Sequence, residues 1–474
     1  MLRTAFMILF VRIGIAVLTF GRNLIIARMI SVEDFGIAST FAIVMVVIEM
    51  TTDIGLRLQI VQAKDGDDPR LQAGLQGFQL LRGVIAGIVL LFLAHPFALF
   101  LNVPEATWAY RVMAVVPVLN ALIHFDVYRK TRAMRFGPSL LTSALSVFLA
   151  VATLWPLSLW FGDWRVMLYS LIIQSALMAI ISHLMATRPY RLVLDRQIMV
   201  RGLSFGWPLL ANAILMMAGF YGDRLIVGRE LGMIVLAIFS MGIILTLRPS
   251  LVISGSVHSF FLPQLSAAQT DRKRFTHLSM VMMEAVLLIS IFMVLIFVII
   301  GGPLIDLLLG SKYAELLPYL TWLAIMQAFR TFKQGPSTIA MAVEETKNAM
   351  ISNIVRTLFL PLCWYAAVTS GDLLMIIWIL TAGEAAAYAM ALIQLRTRRI
   401  VTLRPAILPH IAAGIFILAA SLFTIFLPPA HPEGFSSPIV ILILIVLTGL
   451  SFWTMRDLRE YITNRKQKRS IGWD

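Results

Sequence analysis

Apolar runs long enough to cross a bilayer recur from one end of this chain to the other, and that recurrence limits its architecture more than any other feature. A hydrocarbon core takes roughly 20 helical residues per crossing. By that ruler about fourteen spans can be drawn, at 6–29, 37–61, 73–99, 107–128, 139–160, 165–186, 203–226, 231–257, 277–300, 316–336, 349–369, 372–395, 405–427 and 438–455. Backbone in lipid must satisfy its own hydrogen bonds, so runs of this length are helices. The expectation is an all-α polytopic membrane protein. Of 474 residues, 59% are hydrophobic and 14% charged, whereas soluble domains are about half apolar and a quarter charged. Met1–Ile30 is too long for a cleaved leader and carries Arg12, Arg22 and Arg28, so it reads as a retained first helix.

The formal charge of +14 lies mostly in alternate short loops. Lys64 and Arg70 begin the series, followed by Arg129, Lys130, Arg132 and Arg135, then Arg188, Arg191, Arg196 and Arg201. Arg272–Arg274, then Arg330, Lys333 and Lys347, then Arg396, Arg398, Arg399 and Arg404 continue it to the basic tail. The intervening loops 31–36, 101–106, 369–371 and 428–437 hold no Lys or Arg. The positive-inside rule then puts both termini in the cytoplasm. Charge dispersed among loops serves topology and anionic headgroups, which argues against a nucleic-acid partner.

Short likenesses divide the chain. Gly21–Arg28 resembles Gly222–Arg229, and His95–Leu101 resembles Gly302–Leu308. Helices 1–6 and 7–12 therefore read as two copies of one bundle, over 1–200 and 201–400, with two extra helices and a basic tail over 401–474. An even helix number per copy implies a pseudo-twofold axis along the membrane normal, with a site between the halves.

Charges inside spans must pair, face other helices or line a wet cavity, since each costs on the order of 3 kcal/mol at mid-bilayer. Helix 2 spaces Glu49, Asp53 and Arg57 four apart, on one helical face, with an i,i+4 pair available to Asp53 and Arg57. Helix 3 carries a stripe of Gln72, Gln76, Gln79 and Arg82, and Gly83 and Gly87 offer close packing on its other face. Helix 4 aligns Pro117, Asn120 and His124; helix 7 carries Asn212, Asp223 and Arg224; Arg248, Glu284 and Arg356 lie in helices 8, 9 and 11. The expected substrate chamber is lined by Arg22, Arg82, Arg224, Arg248 and Arg356 with Gln76, Gln79 and Asn120. Guanidinium presents a rigid donor fork suited to phosphate. Glu49, Asp53, Asp223 and Glu284 are the candidates for ion coupling, and structural pairing of Glu49 and Asp53 with Arg57 is the competing reading. The scattered histidines have no metal spacing, Cys363 reads as a buried small hydrophobe, and no P-loop is present. No metal or cofactor is expected.

Three stretches resemble a known family. Leu24–Gly36 ends a helix in Ala27-Arg28 and turns through Glu33-Asp34-Phe35-Gly36; Asp53–Gln62 contains an Asp-x-Gly-Leu run; Arg129–Phe136 is a basic loop. Together they resemble the polysaccharide-biosynthesis transporters, within the exporter superfamily of O-antigen and exopolysaccharide flippases, the peptidoglycan lipid flippase and multidrug antiporters. The resemblance implies a V-shaped pair of six-helix bundles in a bacterial inner membrane. It implies translocation of a polyprenyl-diphosphate-linked oligosaccharide to the periplasmic leaflet by alternating access, beside a polysaccharide polymerase or other assembly machinery. A multidrug antiporter on the same fold is the first rival; its cationic substrates would favour an acidic lobe, and here bases are at least as numerous. A membrane-embedded polymerase or ligase is the second. It would need an outer domain or long loop to arrange acid, base and acceptor, and no outer loop exceeds roughly a dozen residues by the span ruler.

Overall fold

In a solvent without hydrogen-bond partners, i→i−4 bonding is the local way to satisfy every peptide group, and the apolar runs fold accordingly. The computed structural model describes residues 2–426 and 437–470, with side chains over 7–464 except 208, 211, 212 and 215. The side chain of Asn212 therefore lies outside the described residues, as does most of the expected outer loop 428–437. All regular elements among the described residues are helical.

The chain divides into two compact units after Ala237. The first contains α1 (Leu2–Met29), α2 (Val32–Thr52), α3 (Leu56–Gln62), α4 (Pro69–Phe100), α5 (Thr107–Met113), α6 (Val115–Ala121), α7 (Asp126–Arg132), α8 (Gly137–Ala152), α9 (Leu154–Trp160), α10 (Arg165–Leu184) and α11 (Arg196–Glu230). The helix α12 (Met233–Ala267) begins there and continues into the second unit. That unit holds α13 (Arg272–Leu309), α14 (Leu317–Met341), α15 (Lys347–Thr357), α16 (Leu360–Ser370), α17 (Leu373–Thr397), α18 (Ile407–Phe426), α19 (Pro438–Thr454) and α20 (Arg456–Ser470). The helix α11, which the sequence repeat groups with the later half, packs against α2, α3 and α4.

Among the described residues, ten helices are long and apolar enough to cross a membrane, or twelve if two bent pairs each count as one span. The helix at the expected tenth span, α14, is not among them, although it runs for 25 residues. In α14 the reason is polarity: Gln327, Arg330, Lys333 and Gln334 sit inside the helix. Arg330 and Lys333, counted from sequence as loop charges, lie about 17 and 12 Å from its C-terminal end at 1.5 Å per residue.

The expected helix over 37–61 is broken, which corrects the reading of Asp53 and Arg57 as an i,i+4 pair. The Asp53 N–H closes α2 on the Glu49 carbonyl at 2.8 Å, and the Asp53 carboxylate accepts the Gly55 N–H at 2.9 Å. Gly55 takes a left-handed φ of 68°, a conformation that costs glycine little and most residues more. The break is covered by α11. A Cβ on Gly206 would meet the Ile54 carbonyl oxygen at 2.1 Å, so only glycine allows this approach. Gly83 and Gly87 serve a similar purpose on α4: a Cβ on either would come within 2.7 Å of a backbone oxygen, of Pro117 and Ala114 respectively.

Candidate functional site

The break after α2 gathers charges that a continuous helix would have stacked along one face. Glu49 projects from the last turn of α2, Asp53 caps it, Arg57 opens α3, Arg82 comes from α4 and Asn120 from α6. Arg82 lies about 20 Å into α4, inside the candidate membrane span Pro69–Phe100. All five line a cavity of about 60 Å3, room for about two waters at ~30 Å3 each.

Within it, the Asn120 amide donates to Glu49 Oε1 at 2.6 Å. Arg82 Nη1 stands 3.6 Å from Asp53 Oδ1, an ion pair but too long for a hydrogen bond. The Nε and Nη1 groups of Arg82 are shut off from solvent and have no hydrogen-bond partner. A buried donor left without an acceptor costs about 1–3 kcal/mol, more when charged. Arg57 lies over the Tyr128 ring, 5.6 Å from its centroid. Two carboxylates face two guanidiniums, so this cavity is charge-balanced, with guanidinium donors unfilled.

Other expected chamber residues of the first unit do not line that cavity. Arg22 is buried and donates to Gln174 Oε1 on α10. Gln76 is fully engaged: its amide donates to the Arg191 carbonyl at 2.9 Å, and its oxygen accepts from the Phe125 N–H and from Gln72. Gln79 is buried with its Nε2 unpartnered. Asp223 is buried and accepts the Arg224 N–H at 2.7 Å, while the Arg224 guanidinium lies 5.3 Å from the Tyr221 ring centroid.

Several bases in the first unit's loops pair with acids. Arg201 grips Asp65 through two bonds of 2.6 and 2.8 Å, and Arg70 meets Asp195 at 2.8 Å. The Arg201 hydrogen bonds hold the Asp65 carboxyl below the usual carboxylate range, and the Arg70 bond does the same for Asp195. Asp126, fully buried, accepts from Arg129 at 2.6 Å and from the Thr187 N–H at 2.7 Å.

The second unit holds a cluster that sequence reading missed. Glu384, on α17, is 1% exposed and receives Arg330 from α14 at 2.6 Å and Arg356 from α15 at 3.0 Å on the same oxygen. Lys333 approaches its other oxygen at 3.6 Å and donates to Asn353 at 3.0 Å. Three cations and one carboxylate leave this quartet a formal +2. Glu384 lies about 17 Å from the start of α17 and about 20 Å from its end. A lone Glu in a span rich in small residues, opposite three bases in the preceding spans, is the signal that could have found it.

Arg248 has no hydrogen bond or ion pair with a described residue and is exposed, about 22 Å into α12. An unpaired guanidinium at that depth requires water or an anion rather than lipid tails. Glu284 does not join the other candidates. Its carboxylate accepts the Leu458 N–H at 2.7 Å and fastens the start of α20. Arg356 belongs to the Glu384 cluster.

These features define a fold first. The chain's fold is similar to that of the lipid II flippase MurJ in an inward closed conformation, with which it aligns at TM-score 0.69 and 16% identity, covering 96% of this chain and 99% of that one. It aligns with an inward-facing multidrug resistance MATE family transporter of the MOP superfamily at TM-score 0.59 and 15% identity, covering 81% and 94%. The family follows from the sequence. A family model described as "Polysaccharide biosynthesis protein" matches residues 25–318, more than half of the chain, and the protein belongs to that family.

Its relatives include an uncharacterized membrane protein in the cps region of Klebsiella pneumoniae, 22% identical over 75% of this chain and 74% of that protein. The succinoglycan biosynthesis transport protein ExoT of Rhizobium meliloti is 24% identical, over 65% of this chain and 62% of its own length. The teichuronic acid biosynthesis protein TuaB of Bacillus subtilis is 22% identical, over 70% and 69%.

Proposed function

We propose that this protein flips a polyprenyl-diphosphate-linked oligosaccharide, a precursor of exopolysaccharide, capsule or O-antigen, from the cytoplasmic to the periplasmic leaflet by alternating access. The observation that carries this reading is Arg82: a guanidinium inside a candidate membrane span whose buried Nε and Nη1 lack a hydrogen-bond acceptor. A diphosphate supplies the missing oxygens in the geometry a guanidinium fork prefers. Arg248, exposed about 22 Å into α12 with no partner among the described residues, supplies a free cation. Membership in the polysaccharide biosynthesis family supports the glycan class, and the name of ExoT supports transport rather than synthesis.

In this proposal Arg22, Arg224 and Arg356 shape the field around the substrate, and Gln76, Gln79 and Asn120 hold the helices that present it. Glu49 and Asp53, beside Arg82, are the proposed coupling acids, because binding an anion at Arg82 competes with its pairing to Asp53. The orientation proposed has both termini in the cytoplasm of a bacterial inner membrane and fourteen crossings, with α14 as a span held by neighbouring helices rather than by apolarity alone. A polysaccharide polymerase is the natural consumer of the flipped unit.

The test is lipid mass spectrometry, with leaflet sidedness, in a strain lacking the protein. Flipping predicts accumulation of complete polyprenyl-diphosphate oligosaccharide on the cytoplasmic leaflet. Normal delivery to the outer leaflet in that strain contradicts it, and delivery of unpolymerised units points instead to an enzyme.

A further inference from the structure

A second cationic site lies in the second unit, apart from every residue assigned above. Its cavity is of about 760 Å3, within the size range of small-molecule sites. Four arginines line it: Arg272 at the start of α13, Arg396 in the last turn of α17, Arg399, and Arg404 just before α18. None of the four forms a side-chain hydrogen bond or ion pair with a described residue, and no carboxylate lines the space. By contrast Arg398, beside them in sequence, is paired with Glu345. Arg399 adopts a left-handed φ of 54°, and buried Val401 and Ala406 pin the connection that carries the arginines.

The other wall is apolar, formed by Met283, Leu392, Ile407 and Ile411. His410 closes it with both ring nitrogens occupied, by the Ala406 carbonyl and the Tyr388 hydroxyl. From Ile407 and Ile411 an exposed aliphatic stripe continues along α18 through Ile415 and Leu418. The arginines therefore sit at the head of a greasy track.

We infer that this cavity is a resident-lipid site that holds the phosphate headgroup of an anionic glycerophospholipid, with an acyl chain lying along Ile411, Ile415 and Leu418. All four arginines are exposed and no carboxylate lines the cavity, so a membrane phospholipid, always present, can bind them without displacing an ion pair. Basic pockets between helix ends are a recurrent mode of headgroup recognition. The inference does not depend on which glycan is carried or on whether the chain flips anything.

The test is native mass spectrometry of the purified full-length protein titrated with phosphatidylglycerol, with phosphatidylcholine, undecaprenyl phosphate and inorganic phosphate as comparators. Wild type should bind phosphatidylglycerol in preference to phosphatidylcholine. At about fivefold per basic residue near a lipid surface, R396Q/R399Q should weaken that binding about 30-fold, and R404Q alone about fivefold, while R398Q leaves it unchanged. The single variant provides the readout if the double one does not purify. Equal binding by wild type and R404Q, or no preference over phosphatidylcholine, overturns the inference. Displacement of phosphatidylglycerol by undecaprenyl phosphate at lower concentration makes the cavity a carrier-lipid site, and displacement by inorganic phosphate makes it a simple ion site; either also overturns it.

Discussion

Glu384→Gln probes the second unit's charge cluster with almost no change in shape. Glutamine fills the same volume and keeps one acceptor oxygen, so no cavity opens and the effect is that of charge. The carboxylate is 1% exposed, and Arg330, Lys333 and Arg356 are 13%, 11% and 5% exposed at the side chain. Solvent screening is therefore slight, and the variant leaves three buried cations facing one another. Breaking a buried pair by removing one partner costs about 3–5 kcal/mol. With three partners bereaved at once, the loss should reach at least the lower end, about 3 kcal/mol. That is more than a hundredfold in the folded-to-unfolded ratio at about 1.4 kcal/mol per tenfold. The assay is denaturant unfolding of the purified protein in a fixed detergent, comparing wild type, Glu384→Gln, Arg330→Met and the double variant. Because the bond exists only when both partners are present, the double variant should be less destabilised than the sum of the singles, by about 1 kcal/mol or more. A Glu384→Gln protein within about 0.5 kcal/mol of wild type, or additive singles, would refute the view that this quartet is a tightly coupled unit.

Arg82→Ala should abolish export of the lipid-linked unit while membrane-inserted protein stays at its normal level; full export in that variant removes Arg82 from the binding machinery. Arg248→Ala should also impair transport, yet shift stability by no more than about 0.5 kcal/mol, because the side chain has no partner among the described residues; a large loss of stability would show it to be structural. Gly206→Ala drives a methyl toward the Ile54 oxygen, and overpacking of this kind costs about 1–3 kcal/mol, so a lower unfolding midpoint is expected and an unchanged one argues against the tight α11 contact. Asp65 and Asp195 are held below the usual carboxylate range by Arg201 and Arg70, so their contribution is fully present above about pH 5, and is lost as pH falls through the lowered folded-state values. Asp65→Asn should therefore flatten part of the acid limb of a stability–pH curve, and identical curves would count against the pair.

The helices were legible because lipid leaves an apolar run of twenty residues no other local solution. What sequence periodicity misread was the end of α2. Glu49, Asp53 and Arg57 have helical spacing, but Asp53 and Gly55 are also the residues of an Asx turn with a left-handed glycine, and the turn prevailed because α11 packs Gly206 onto Ile54. The same break carries Asp53 to Arg82, a partner on another helix that spacing cannot reveal. Arg330 and Lys333 were hidden by their place near the end of an expected span, and Glu384 by the small residues around it. Glu284 looked like a coupling acid because a buried carboxylate in a helix lacks a local partner; its partner is the Leu458 amide, 174 residues away.

Reconstitution isolates the flipping step itself. Purified protein in sealed vesicles, loaded in one leaflet with the polyprenyl-diphosphate oligosaccharide isolated from the deletion strain, is assayed for the rate at which the glycan becomes accessible to a membrane-impermeant lectin or glycosidase on the other side. Flipping predicts a protein-dependent rate that falls to the empty-vesicle rate with Arg82→Ala. A wild-type rate no faster than that of empty vesicles, in vesicles shown to contain folded protein, would contradict it.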